Sequence, residues 1–188
     1  NGWNALENDN HGVVNISTLQ KCLDDWCGDI QINDDIIISC MAVNNEIGTI
    51  QPIKDIANIT HNNEFIFHTD AVQAVGHIPI DVKKLGVDIL SASAHKFSGP
   101  KGVGFLYVKK GVKINKLING GKQESNLRGG TENILGIISM AAALEDAVEH
   151  MEERNNHVKK LRDKMLDHLL KIEGAHLNGS LENRVVSN

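Results

Sequence analysis

VDILSASAHKFSGPKGVGFLYV, residues 87–108, holds the pattern that decides the fold of this 188-residue chain. Residues 87–92 form an apolar run with β-branched members, which predicts a strand buried on both faces. The run gives way to Ser93, His95 and Lys96, and then to Ser98-Gly99-Pro100-Lys101-Gly102, a loop by composition. Residues 103–108 turn apolar again and predict a further strand. In open α/β sheets ligands bind beyond the carboxyl ends of the strands, so a strand running into reactive side chains points to a site there.

Upstream the same grammar repeats. Residues 36–43, IIISCMAV, predict a buried strand that stops at the turn formers Asn44 and Asn45. Pro52 stands where a helix can begin, with Ile53, Ile56, Ala57 and Thr60 following at helical spacing. Residues 65–69 predict a strand ending at Asp70, and residues 71–75 a short helix stopped by Gly76. Strand and helix in alternation predict an α/β fold, a three-layer sandwich around a mostly parallel sheet. Asn44, Asn45, Asp70 and the stretch from Ser93 to Lys96 then line one edge of one cleft.

Downstream the character changes. Ile134, Ile137, Ile138, Ala141, Ala142, Leu144 and Val148 keep a helical stripe. A charged stretch follows, and a second stripe runs through Val158, Leu161, Met165, Leu166 and Leu169. This predicts one long or bent helix ended by Gly174, with residues 175–178 opening a strand of another domain. Residues 1–149 are therefore expected to form part of a large domain. Residues 150–188 are expected to form a connecting helix and the start of a small α+β domain.

Composition narrows the function. A net charge of −5 and the lack of a basic stripe argue against a nucleic-acid partner. Lys159, Lys160, Arg162 and Lys164 alternate with acidic residues and predict a solvated helix face. No apolar run is long enough to cross a bilayer. Three cysteines, with Cys22 and Cys27 spaced for neither a redox motif nor a zinc knuckle, predict a reducing compartment, the cytoplasm. Cys40, inside an apolar run, reads as a small buried hydrophobe. Gly121-Lys122 is followed by Gln123, which breaks a P-loop pattern. The nine histidines form no zinc-binding motif, so no metal is expected.

Asp70 and Lys96, with His95 beside the lysine, form the sharpest constellation. A pyridoxal 5'-phosphate (PLP) enzyme needs a lysine amine to hold the cofactor and a carboxylate against its pyridine nitrogen. The same residues also fit a surface lysine and an aspartate that caps the helix expected at Ala71. On residue types and spacing alone both readings stand.

The longer text is more specific. Residues 44–53 (NNEIGTIQPI), 68–73 (HTDAVQ) and 91–104 (SASAHKFSGPKGVG), followed in order by 120–124 (GGKQE) and 128–133 (RGGTEN), closely resemble the cysteine desulfurases. These are a branch of the class V aminotransferase-like, fold-type I PLP enzymes. The resemblance implies that Lys96 is the Schiff-base lysine and proton shuttle, with His95 beside it in the catalytic machinery. It implies Asp70 at the pyridine nitrogen, Gln73 at the ring oxygen, and Ser93 and His95 at the phosphate. Asn45 is expected near the ring and the substrate carboxylate. Thr131 is expected to reach the phosphate of a neighbouring subunit, although it also reads as the N-cap of a helix starting at Glu132. Lys122 and Gly129 depart from the commoner pattern.

The activity implied is conversion of L-cysteine to L-alanine with the sulfur held as a persulfide. The partners implied are a second identical subunit and a sulfur acceptor such as an iron-sulfur scaffold or a tRNA-thiolation protein. A selenocysteine lyase or related β-lyase shares most of these motifs, and a non-catalytic scaffold piece is the remaining alternative. The resemblance further places a phosphate loop and a ring-stacking histidine upstream of this stretch. It places the sulfur-accepting cysteine and a carboxylate-binding arginine downstream.

Overall fold

The structure, a computed structural model, describes residues 5–29 and 36–188. Its centre is a four-stranded sheet in the order β1 (Ile37–Met41), β2 (Ile66–Asp70), β3 (Ile89–Ser93), β4 (Gly104–Val108). The first three run parallel, with Ile37 beside Ile66 and Asp70 beside Ser91. β4 returns antiparallel to β3 through the loop that follows Lys96. Gly104 is obligatory at that return, since a Cβ there would lie 2.4 Å from the Ala92 carbonyl oxygen.

Helices α1 (Ile16–Asp29), α2 (Ile53–Asn62) and α3 (Val82–Leu85) precede the cleft segment. A distorted turn, α4 (Gln123–Asn126), and the pair α5 (Ile134–Glu149) and α6 (Met151–Leu169) follow it. Ile53, Ile56, Ala57 and Thr60 form the buried stripe of α2, which packs on β2. Phe67 and Thr69 are the buried side chains of that strand, so α2 covers their face of the sheet. The alternate side chains face the other way: Ile37, Ser39, His68, Asp70, Ser91 and Leu106. That second face is open among the described residues, with Ile37 54% and Leu106 53% exposed.

At the amino end of the sheet a carboxylate is locked in place. Asp88, just before β3, accepts hydrogen bonds from Lys109 Nζ (2.8 Å), His61 Nε2 (2.7 Å) and the Phe67 N–H (3.0 Å). Burial alone would raise its pKa. The Lys109 ammonium, the Phe67 N–H and His61 outweigh burial and hold it below the ordinary carboxylate value.

Several expectations need correction. Residues 71–75 are hydrogen-bonded turns rather than a helix. The two four-residue bonds there, Val75 to Ala71 and Ile78 to Ala74, are not consecutive, and Gly76 at φ +79° breaks the run between them. Thr131 is not an N-cap. Asn133 caps α5, its side-chain oxygen accepting from the Gly136 N–H at 3.1 Å. The expected long or bent helix is bent, at His150, but it ends at Leu169 rather than at Gly174. On α5 the side turned to the core runs through Met140, Ala143, Leu144 and Ala147. Ile134, Leu135, Ile138 and Val148 are left exposed, Leu135 at 81%. Residues 175–178 form no strand.

The chain's last stretch instead straps the loop after β1. Arg184 is buried, and its guanidinium donates to the carbonyls of Ile47 (2.7 Å) and Asn178 (2.6 Å). The Val185 N–H donates to the Gly48 carbonyl, and the Ile50 N–H to that of Asn183. From the other side Thr49 Oγ1 donates to the His11 carbonyl at 2.8 Å, and Gln51 Nε2 to that of Gly12 at 2.7 Å.

One packing contact gives a direct test. Gly76 combines φ +79° with close approach, and a Cβ there would lie 2.7 Å from the Phe97 Cβ and 3.2 Å from the Ala147 Cβ. Gly76→Ala is expected to destabilise the fold by about 2–4 kcal/mol, from left-handed strain and overpacking together. Urea unfolding of the two proteins checks it.

Candidate active site at the carboxyl ends of the strands

Three parallel strands deliver their carboxyl ends side by side. Asp70 is the last residue of β2 and Ser93 the last of β3, while Asn45 lies on the turn past β1. The Ala42 N–H donates to the Asp70 carbonyl at 2.7 Å, which carries the pairing one residue beyond β1.

Lys96 owes its place to a 3-10 helix, Ala94–Phe97, that continues directly from β3. Ala94 and Phe97 are buried and anchor this turn in the core, so His95 and Lys96 project from it, one exposed and the other half-buried. Ser98 closes the turn at φ +67°, a left-handed conformation seldom taken by a residue with a Cβ. The Gly99 N–H then donates back to the Ala94 carbonyl at 2.8 Å. His77 Nε2 donates to the Lys96 carbonyl at 2.9 Å, and Asn155 Nδ2 of α6 donates to the His77 carbonyl at 2.8 Å. The lysine's backbone is thus pinned from the 71–78 turns, and those turns from α6. Its Nζ has no hydrogen bond or ion pair among the described residues.

Asp70 Oδ1 accepts from the Val72 N–H at 2.9 Å, while its other oxygen has no partner among the described residues. Ser93 Oγ and His95 Nδ1 are 2.8 Å apart, a hydroxyl and a ring nitrogen held together at the mouth of the site. Asn44 shapes the turn before it: its Oδ1 accepts from the N–H groups of Glu46 (2.8 Å) and Ile47 (3.0 Å). Asn45 is left exposed at the tip, where its Nδ2 donates to Glu46 Oε1 at 3.0 Å. Gln73 is half-buried within the turns after Asp70. Thr131 is exposed on the segment before α5, and no hydrogen bond among the described residues ties it to this group.

Two histidines of this neighbourhood drew no role from the sequence. His77 is one. The other is His68, whose ring nitrogens lie 2.8 Å from Ser39 Oγ and 3.3 Å from Ser91 Oγ. Burial lowers its pKa below the ordinary imidazole value, and the nearby charge of Asp70 works against that. The signal was present in the His-Thr-Asp order, because a strand puts residues two apart on one face. The serine partners come from strands whose register the sequence does not state.

The donor set suits a phosphorylated aldehyde cofactor with a basic ring nitrogen. It offers an unpartnered amine, a carboxylate with a free oxygen, and a hydroxyl–imidazole pair able to donate to a phosphate. Among the described residues no helix is long and apolar enough to cross a membrane.

The pattern of the aminotransferase class-V family matches residues 4–187, and the chain belongs to that family, one of PLP-dependent enzymes. Within it several of the similar proteins are named cysteine desulfurase. "Cysteine desulfurase IscS" of Methanosarcina thermophila is 51% identical over 180 residues, covering 96% of this chain and 43% of that protein. The mitochondrial cysteine desulfurase of Arabidopsis thaliana is 45% identical, over 94% of this chain and 38% of its own length. Among solved structures a "NifS-like protein" superposes with a TM-score of 0.87 at 43% identity, covering 97% of this chain and 48% of that one. The chain therefore spans less than half the length of these relatives.

Proposed function

We propose that this chain is the cofactor-holding part of a cysteine desulfurase, an enzyme that takes sulfur from L-cysteine, leaves L-alanine and keeps the sulfur as a persulfide. One observation carries the reading: Asp70, Ser93, His95 and Lys96 converge at the carboxyl ends of β2 and β3, with the lysine amine and one aspartate oxygen unpartnered among the described residues. The identities of 51% and 45% to proteins named cysteine desulfurase favour this reaction among those of the family.

PLP, when bound, supplies a ring that withdraws electrons from the substrate carbon. The chain's own groups do the rest. Lys96 would hold the cofactor through its amine, and that amine is the group placed to move a proton at the substrate Cα. Asp70 presents its free oxygen to the ring nitrogen and keeps that nitrogen protonated. Ser93 and His95 donate to the phosphate, and His95, the residue before Lys96, shares in the catalytic machinery. Gln73 donates to the ring oxygen, and Asn45 lies by the substrate carboxylate. Thr131, exposed and away from the group, serves the phosphate site of a second copy.

The same reading divides the molecule into a large-domain part, residues 1–149, and a connecting helix leading to a small domain, residues 150–188. It places the protein in the cytoplasm, with a homodimer partner and a sulfur acceptor of the iron-sulfur scaffold kind. The thiols of Cys22 and Cys40 are unpaired, in keeping with a reducing setting, while the Cys27 side chain lies outside the described residues. The test is direct. PLP is added to the purified chain, the adduct is reduced with borohydride, and the modified peptide is sequenced. Label on Lys96 is expected, and label confined to another lysine overturns the proposal.

A further inference from the structure

A polar row crosses the open face of the sheet just behind Asp70. His68 Nδ1 lies 2.8 Å from Ser39 Oγ on β1, and Nε2 lies 3.3 Å from Ser91 Oγ on β3. A hydroxyl both donates and accepts, so each serine can turn its hydrogen to suit the imidazole. With a neutral ring one serine donates and the other accepts. With an imidazolium both accept. The seat therefore holds the ring in place whether or not it carries a second proton. Asp70 follows two residues later on the same strand and projects from the same face. The flanking strands add only Ser39, Met41, Ser91 and Ser93 beside it, none of them charged. Asp70 is the one charge among the described residues that acts on the ring.

We infer that His68 is a positioning residue for Asp70: a neutral imidazole in this seat leaves the carboxylate's charge whole for a cation opposite it, and an imidazolium competes for that charge. The inference rests on the proposed function, in which the cation is the protonated ring nitrogen of PLP. Burial keeps the imidazole below its ordinary range against the pull of Asp70, so the ring is neutral at neutral pH and gains its proton only on acidification. Linkage makes the antagonism mutual: a proton on His68 weakens a cation at Asp70 by the factor with which that cation weakens the proton.

Two measurements decide it. In the chain without cofactor, the ring-nitrogen chemical shifts of His68 are followed across the imidazole pH range. Asp70→Asn is expected to move the His68 midpoint downward. An unmoved His68 midpoint overturns the inference. In the second measurement, PLP is titrated by its own absorbance at a series of pH values. The dissociation constant is expected to rise as pH falls through the His68 midpoint, and His68→Gln is expected to flatten that acid limb while changing affinity little at neutral pH. A limb equally steep in His68→Gln overturns the inference. His68 is half-buried and lies outside the hydrophobic core, so this variant keeps the core intact. Failure of the cofactor reading is separately visible: borohydride label absent from Lys96 removes the proposed function, while the cofactor-free titration still decides the His68–Asp70 coupling.

Discussion

Lys96→Ala is expected to abolish covalent capture of PLP completely while leaving the fold standing. The 3-10 helix is anchored by Ala94 and Phe97, both buried, and the hydrogen bond from His77 goes to the backbone carbonyl of residue 96, which alanine retains. The lysine's amine makes no hydrogen bond or ion pair among the described residues, so its removal strips no polar contact. Unfolding free energy should change by no more than about 0.5 kcal/mol, as for surface substitutions generally. Peptide mapping after borohydride reduction checks the first claim and urea unfolding the second. Lys101→Ala, a few residues along the same loop, is the control and should label as the parent does. Residual label at full stoichiometry in Lys96→Ala would contradict the assignment.

The second large effect lies at the opposite end of the sheet. Asp88 is 4% exposed and satisfies three donors, one of them the backbone N–H of Phe67 in the neighbouring strand. Asp88→Ala removes a charged acceptor and leaves that N–H buried without a partner. The expected destabilisation is about 2–4 kcal/mol. It sits below the upper end for broken buried pairs because Lys109 and His61 are partly exposed and can turn to water. Asp88→Asn keeps an acceptor for Phe67 and should lose about half as much.

The pH dependence has a definite sign. Asp88's pKa is lower in the folded chain than in the unfolded one. The unfolded chain therefore binds the proton first as pH falls. The stabilisation is complete above the ordinary carboxylate value and is lost as pH drops through the lowered folded value. Unfolding free energy measured down through the carboxylate range should fall more steeply for the parent than for Asp88→Asn. Parallel acid limbs would remove Asp88 from the account.

These two sites differ in how far the sequence discloses them. Asp70 was legible because it ends an apolar strand, and Lys96 because it follows one within three residues, and parallel strands bring their carboxyl ends to one edge of the sheet. Asp88 drew no attention. Its partners come from α2 and from just beyond β4, and nothing in the order Val87-Asp88-Ile89 announces them. The α5 stripe was read as one apolar helix face, yet the core takes the side through Ala143 and Ala147 and leaves Ile134 and Ile138 outside. Periodicity gives the helix, but the partner surface selects the side. That selection turns on Gly76, which lets Ala147 approach within contact. Helix α1 was passed over although Asn15 announces it, its carboxamide oxygen accepting from the N–H groups of Ser17 and Thr18. The helix expected at residues 71–75 failed for the converse reason: composition favoured it, and one left-handed glycine interrupted the bonds.

The strap formed by Arg184 reaches across 137 residues to the Ile47 carbonyl. Contacts this far apart in sequence close only after the intervening chain has paid its ordering entropy. The turn bearing Asn45 has its own hydrogen bonds, accepted by the Asn44 side chain, but its outer side is clamped by residues 178–188, the last part of this stretch to be synthesised. A chain ending between β4 and Asn178 would lack every residue of the strap and would leave the Asn45 turn unclamped on that side. The strap's bonds reach the rim of the proposed site, and none of them reaches Asp70 or Lys96.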